Sequence, residues 1–105
     1  MKKQVYLLTR QIPKGSISTY GRLAKAAGRP SAYRAVGNIL HMNLDPASIP
    51  CHRVINSNGK VGEYMYGKTQ KIRLLASEGI EIVDNRVVNF ELKLFDDFKR
   101  VPQDQ

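Results

Sequence analysis

Cys51 is the sole cysteine of the 105-residue chain, and it stands in the run Ile49-Pro50-Cys51-His52-Arg53-Val54 with a histidine directly after it. A thiol becomes a useful nucleophile when its thiolate is stabilised, and a histidine held in one tautomer by a carboxylate is a common means of doing so. Cys51 and His52 can supply the first two groups. On a regular strand, adjacent side chains point to opposite faces, so their cooperation requires the irregular backbone that Pro50 supplies, or a bridging water. The competing reading of a lone cysteine is a small buried hydrophobe. Glu78 is the candidate carboxylate. It falls in the last turn of a helix, just before Gly79, where the helix dipole disfavours negative charge and a lysine or arginine is expected. Breaches of a local rule tend to mark functional sites; the alternative is an exposed glutamate tolerated at a frayed helix end.

Composition narrows the setting for this chemistry. The chain is long enough for one hydrophobic core, and a single domain over residues 1 to 105 is expected. One cysteine cannot close an internal disulfide, and two histidines with one cysteine fall short of a typical structural zinc site. Neither metal nor cofactor is expected. No stretch approaches the roughly 20 apolar residues of a membrane span, and the short apolar run Val5 to Leu8 is below the length of a secretory signal. A cytoplasmic, nucleoid-associated location is therefore the expectation. Residues 1 to 78 hold 13 Lys and Arg against 3 Asp and Glu, a net +10, whereas residues 79 to 105 hold 4 against 6, a net −2. The positive excess sits where it could meet a polyanion and release its counterions.

The elements that must position these groups are legible in outline. Val5, Leu8 and Ile12 recur at helical spacing and Pro13-Lys14-Gly15 stops the run, which predicts a first helix. Residues 18 to 43 predict two short helices around a tight break, with Ser18 or Thr19 capping the first, Gly28-Arg29-Pro30 ending it and Ser31 capping the second. This is a helix-turn-helix pattern. Its second helix can bury Val36, Ile39 and Leu40 while turning Arg34, Asn38 and the small Ala35 and Gly37 toward a partner. Residues 44 to 54 predict an ordered loop that delivers Cys51, and Arg53 to Tyr64 predict a hairpin turning at Asn58-Gly59. A last helix from about Lys68 to Glu78 would bury Ile72, Leu75 and Ala76 and stop at Gly79. Beyond it, from about residue 80, the tail reads as one or two strands followed by a fraying end, Phe98 to Gln105.

Taken together, these stretches resemble the C-terminal domain of the O6-alkylguanine-DNA alkyltransferases, over residues 1 to about 80, with Ile49 to Tyr64 (IPCHRVINSNGKVGEY) as the most specific part. The resemblance implies a mostly α fold with a small β-hairpin, a winged helix-turn-helix-like DNA-binding domain. It implies that Cys51 accepts the alkyl group in one in-line displacement, with His52 as its base through a water and Glu78 orienting the histidine. The thioether is not cleaved, so the protein would act once. Tyr20 matches the tyrosine that helps rotate the nucleotide and offers a proton to the departing guanine. Arg34 matches the arginine finger that fills the vacated place in the stack, with Ala35, Gly37 and Asn38 beside it in the minor groove. On local grounds alone, Tyr20 is as readily a core aromatic, and Arg34 a generic phosphate contact. Asn43 matches the hinge between recognition helix and active-site turn, Pro50 and Val54 fall among the substrate-pocket and hinge residues, and Arg53 matches a structural arginine. Tyr64 and Lys71 match residues of the pocket wall and the lid helix.

The implied partner is double-stranded DNA containing O6-alkylguanine, chiefly O6-methylguanine, bound by a monomer. The minimal length and the tail also resemble alkyltransferase-like proteins, which bind alkylated guanine without repairing it and pass it to nucleotide excision repair proteins. Those relatives usually lack the cysteine, which favours transfer here. Met65 and Tyr66 are bulkier than the residues some members carry in the lid loop, which implies a narrower pocket that handles methyl better than benzyl.

Overall fold

The computed structural model describes residues 1–103. Helix α1, Lys2–Thr9, buries Gln4, Val5, Leu8 and Thr9 along one face. It stops short of Ile12, because the chain tightens into bonds from the Gln11 and Ile12 amides to the Leu8 and Thr9 carbonyls (3.0 and 3.1 Å) ahead of Pro13. Ile12 still reaches the core. Strand β1, Ser18–Thr19, leads directly into α2, Tyr20–Ala26, whose cap is Thr19: its hydroxyl accepts from the Arg22 amide at 3.1 Å. Helix α2 ends where the Arg29 amide folds back on the Ala24 carbonyl.

Helix α3, Tyr33–His41, is the second helix of the predicted pair, but Ser31 does not cap it. Ala32 occupies the cap position with no side-chain bond, because the Ala32 amide turns back to the Arg29 carbonyl (2.9 Å) and delays the helical start. Val36 and Leu40 are buried, Ile39 is half-buried, and Arg34 and Asn38 face outward. The three helices enclose one core with Leu8, Ile12, Leu23, Val36 and Leu40 at its centre, and Cys51, Val54 and Tyr64 close its lower side. A second cluster, Ile17, Ile55, Val61, Leu75, Ile80 and Val87, lies between the small sheets and α4, Lys68–Ser77.

The predicted hairpin over Arg53 to Tyr64 is not what forms. Asn58-Gly59 does make a tight turn, with the Gly59 amide on the Asn56 carbonyl at 3.0 Å. Strand β2, Val54–Ile55, however, runs parallel to β1, pairing Val54 with Ser18 and Ile55 with Thr19. The returning segment is claimed by the tail instead: Lys60 bridges Arg86, and the Val61 amide reaches the Asn85 carbonyl at 2.9 Å. The hairpin of the fold is β3, Ile82–Val83, with β4, Arg86–Val87. Its two-residue turn, Asp84-Asn85, has both φ angles positive, the geometry that matches the twist of paired strands.

Two further expectations need correction. Ala76 is exposed, and the buried positions of α4 are Lys71 and Leu75. The end of the chain does not fray over Phe98 to Val101. After a short helix α5, Phe90–Lys93, Leu94 pairs with Ile17, Gln11 bonds both backbone groups of Lys99, and Phe95, Phe98 and Val101 pack on the first core. The predicted fraying of Asp104 and Gln105 lies outside the described residues. Among the described residues no helix is long and apolar enough to cross a membrane.

Candidate active site

Pro50 shapes the backbone at the thiol. With φ −76° and ψ 65° it is the centre of an inverse γ-turn, closed by the Cys51 amide on the Ile49 carbonyl at 2.7 Å. A single 3-10 turn, Cys51–Arg53, follows before β2 begins. The irregular backbone required for Cys51 and His52 to cooperate is thus present. Both side chains are buried. Asn43, 1% exposed just beyond α3, donates from Nδ2 to the Cys51 Sγ at 3.2 Å and to the Ile49 carbonyl at 2.9 Å. The residue that follows α3 and its cap therefore holds the sulfur directly.

His52 bonds away from the thiol. Its Nε2 lies 3.0 Å from Glu78 Oε2, and Glu78 also accepts from Arg53, Nε to Oε1 at 2.9 Å and Nη2 to Oε2 at 2.7 Å. Glu78 is the cap residue of α4, and Gly79 takes a positive φ of 86° that turns the chain away without dragging the carboxylate out. The unfavourable charge at a helix C-terminus is thereby offset by Arg53, whose Nη1 also binds the Ile12 carbonyl at 2.9 Å. Burial pushes the Glu78 carboxyl up, but the Arg53 and His52 bonds outweigh it, so it lies below the ordinary range and is ionised. Burial pulls His52 down against the pull of Glu78, so the imidazole is neutral near pH 7. With the Nε2 proton on the carboxylate, Nδ1 carries the lone pair; it is buried with no protein partner among the described residues.

Burial raises the thiol of Cys51, while the Asn43 amide, the charge of Lys71 and the Tyr64 hydroxyl pull it back. Lys71 is fully buried, donating from Nζ to the carbonyls of Val54 at 2.8 Å and Glu63 at 3.0 Å, with Nζ 5.8 Å from the centre of the Tyr20 ring. Desolvation lowers it to about 7. Tyr20 is pushed up to about 12, first by burial and then by the thiolate and Glu63, so its hydroxyl keeps its proton.

A cavity of about 480 Å3 gathers Tyr20, Gly37, Asn38, Cys51, Tyr64 and Met65 between α3 and the loop before α4. A Cβ on Gly37 would stand 3.8 Å from the Tyr20 ring, an ordinary van der Waals contact, so this position of α3 faces the tyrosine with room for a methyl group. Arg34 and Ala35 lie on the same helix outside the cavity lining, the Arg34 guanidinium 5.9 Å from the Tyr33 ring. His52, Arg53 and Glu78 stand behind the thiol, Val54 is buried with its carbonyl on Lys71, and Lys71 lies beneath the site rather than on a lid surface. Met65 lines the cavity as expected, but Tyr66 does not; it turns to a second cavity on the far side, beside His52, Gln70 and Leu74. The sequence reading missed Asn56, Lys60, Lys68 and Asn85, which also line the thiol cavity. The basic pair carried a signal in its charge; Asn85 carried none, since only the tail's pairing with Val61 brings it there.

Fold and site together define a helix-turn-helix domain with a buried thiol at the foot of its second helix. Residues 1–80 match the family model described as 6-O-methylguanine DNA methyltransferase, DNA binding domain, and the chain belongs to that family. It is 45% identical over 97 residues to a bifunctional methyltransferase/endonuclease of Thermoplasma volcanium, covering 90% of this chain and 30% of that protein. The chain thus spans under a third of that relative's length. A DNA base-flipping protein of Vibrio parahaemolyticus is 40% identical over 79 residues, covering 75% of this chain and 79% of its own. Among solved structures, S. pombe Atl1 in complex with damaged DNA containing O6-carboxymethylguanine superimposes with a TM-score of 0.82 at 31% identity, covering 90% of this chain and 93% of the other.

The buried ammonium gives a direct prediction. Replacing Lys71 with Met keeps the stem and removes the charge, so the thiol will rise further and alkylation of Cys51 by iodoacetamide near neutral pH will slow about tenfold. Stability will respond in the opposite sense. The folded value of about 7 lies below the ordinary 10.5, so the unfolded chain holds a proton that the folded chain gives up between those pH values. Wild-type stability therefore gains from Lys71 as pH rises through that window, and the gain is lost as pH falls back to about 7. Urea titrations across the window will show this slope in the wild type and its loss in Lys71→Met.

Proposed function

We propose that this protein repairs O6-alkylguanine in duplex DNA by flipping the base through the minor groove and transferring its alkyl group irreversibly to Cys51. A group on the guanine oxygen lies inside the duplex, so a thiol on a globular surface reaches it only after the nucleotide leaves the stack. The observation that carries the reading is the thiol itself. Cys51 lines a cavity at the foot of α3, held by Asn43 at 3.2 Å, with the neutral His52 and ionised Glu78 behind it.

In this mechanism His52 Nδ1 takes the thiol proton through a water, and Glu78 holds the imidazole in the tautomer that permits it. Lys71 and Asn43 favour the thiolate that results. The sulfur attacks the alkyl carbon, the C–O bond breaks, and the electron pair stays on the guanine oxygen, to which Tyr20 presents its hydroxyl proton. Arg34, exposed on the first turn of α3, enters the gap left in the stack, with Ala35, Gly37 and Asn38 against the groove. The product thioether has no route back, so one protein repairs one lesion. The reading extends to a monomer acting on chromosomal DNA in the cytoplasm.

Incubation with a duplex carrying one O6-methylguanine will add one methyl mass to the wild type and none to Cys51→Ser, leaving unmodified guanine in the DNA. The near full-length match to Atl1 favours a second reading, a lesion-recognition module that hands the site to nucleotide excision repair proteins. Tight, lesion-selective binding with no mass gain on the wild type would select it.

A further inference from the structure

We propose that Tyr66 is a positioning residue that latches the loop of residues 62 to 67 over the thiol cavity and so sets which alkyl groups the site admits, an inference that rests on the alkyl-transfer reading. The loop joins buried Val61 to α4. Its side chains divide: Met65 reaches the thiol cavity, Tyr66 only the cavity behind, and Tyr64 both. On the rear side the Tyr66 hydroxyl donates to the Asn43 carbonyl at 2.7 Å, and its ring meets Tyr64 edge-on at 5.4 Å.

Asn43 is the residue whose side chain holds the sulfur, and its Oδ1 also accepts from the Asp45 amide at 2.9 Å. One phenolic bond thus ties the loop that carries Met65 to the residue that orients the nucleophile. The other end of the loop is pinned by Lys71, whose Nζ holds the Glu63 carbonyl at 3.0 Å. Met65 lies between the two pins, 39% exposed at the cavity rim. Gly67 follows with φ 98°, and nothing stands within 4 Å of where its Cβ would be. The Gly67 amide bonds the Tyr64 carbonyl at 3.0 Å, and its carbonyl accepts from the Lys71 amide at 3.1 Å, so once the Tyr66 bond is released the turn from Tyr64 to Gly67 moves as a unit that carries Met65. With the latch closed, Met65 stays at the rim and a methyl group fits beneath it. A larger group requires Met65 to withdraw, and the latch opposes this.

The test compares wild type, Tyr66→Phe and Met65→Ala. Rates of transfer from duplex O6-methylguanine and from free O6-benzylguanine are read by intact mass, and amide hydrogen exchange is followed over residues 62 to 67. In Tyr66→Phe the benzyl-to-methyl rate ratio will rise about fivefold, the size expected for one lost neutral hydrogen bond. The methyl rate will change less than about twofold, and the loop amides will exchange faster while those of α1 stay as they were. Met65→Ala will raise the same ratio without the change in exchange. An unchanged ratio in either variant, or loop amides in Tyr66→Phe that exchange as in the wild type, overturns the proposal. If the wild type transfers neither group, the repair reading is what fails, and the loop exchange alone decides for or against the latch.

Discussion

Glu78→Ala will be destabilised by about 3 kcal/mol, and, on the alkyl-transfer reading proposed above, its Cys51 will react with O6-methylguanine about a hundredfold more slowly than the wild type. The carboxylate is 9% exposed and takes three short bonds, two from Arg53 and one from His52, whose side chains are 16% and 7% exposed. Removing it strands a guanidinium away from water with only the Ile12 carbonyl left, and frees His52 to rotate and change tautomer. His52→Ala separates the two effects. It keeps the bond between Arg53 and Glu78, so it will lose the same rate with a smaller loss of stability. The stability difference for Glu78→Ala will also depend on pH. The folded carboxyl lies below its ordinary 4.5, so its contribution is complete above that value and is lost as pH falls through the folded one. Urea unfolding at neutral pH and at about pH 3 will show the difference between wild type and variant shrinking in acid.

Truncation after Val88 is the second change with a large expected effect. It removes α5 and the extended end that follows, and with them Phe90 from the second hydrophobic cluster and Phe95, Phe98 and Val101 from the first. Both backbone bonds between Ile17 and the Lys93-Leu94-Phe95 segment, at 2.9 and 2.7 Å, go as well. Ile17 immediately precedes β1, and β1 leads into α2 and Tyr20. The loss will therefore be about 4 kcal/mol, comparable to deleting one large core side chain outright, and thermal unfolding will shift down accordingly. On either proposed reading, lesion binding by the truncated chain, measured well below its melting point, will weaken because the start of α2 is no longer braced. If the truncated chain melts with the full one, the packing of the tail contributes nothing to stability.

Where the information was local, residues within a few positions of one another determined the outcome. Thr19 caps α2 because a hydroxyl before a helix satisfies an amide three residues on. Gly79 ends α4 because its positive φ costs little, and Pro50 bends the chain at the thiol through its own ring. The oddness of a glutamate at a helix C-terminus was visible for the same reason, and IPCHRV with its neighbours was specific enough to point to a family that the comparisons bear out. Only the tertiary structure decided the rest. Lys71 shares the charge of every surface lysine, and nothing near it in the chain announces that Val54 and Glu63 will supply carbonyls to bury it. Val54–Ile55 reads as half of a hairpin, yet its partner comes from more than thirty residues upstream and the return segment pairs with the tail. Short strands have too little periodicity to name a partner, since pairing depends on which backbone edges the packed helices bring together. Tyr66 turned to the rear for a like reason: the carbonyl that accepts its hydroxyl belongs to Asn43, and only the folded loop brings the two together.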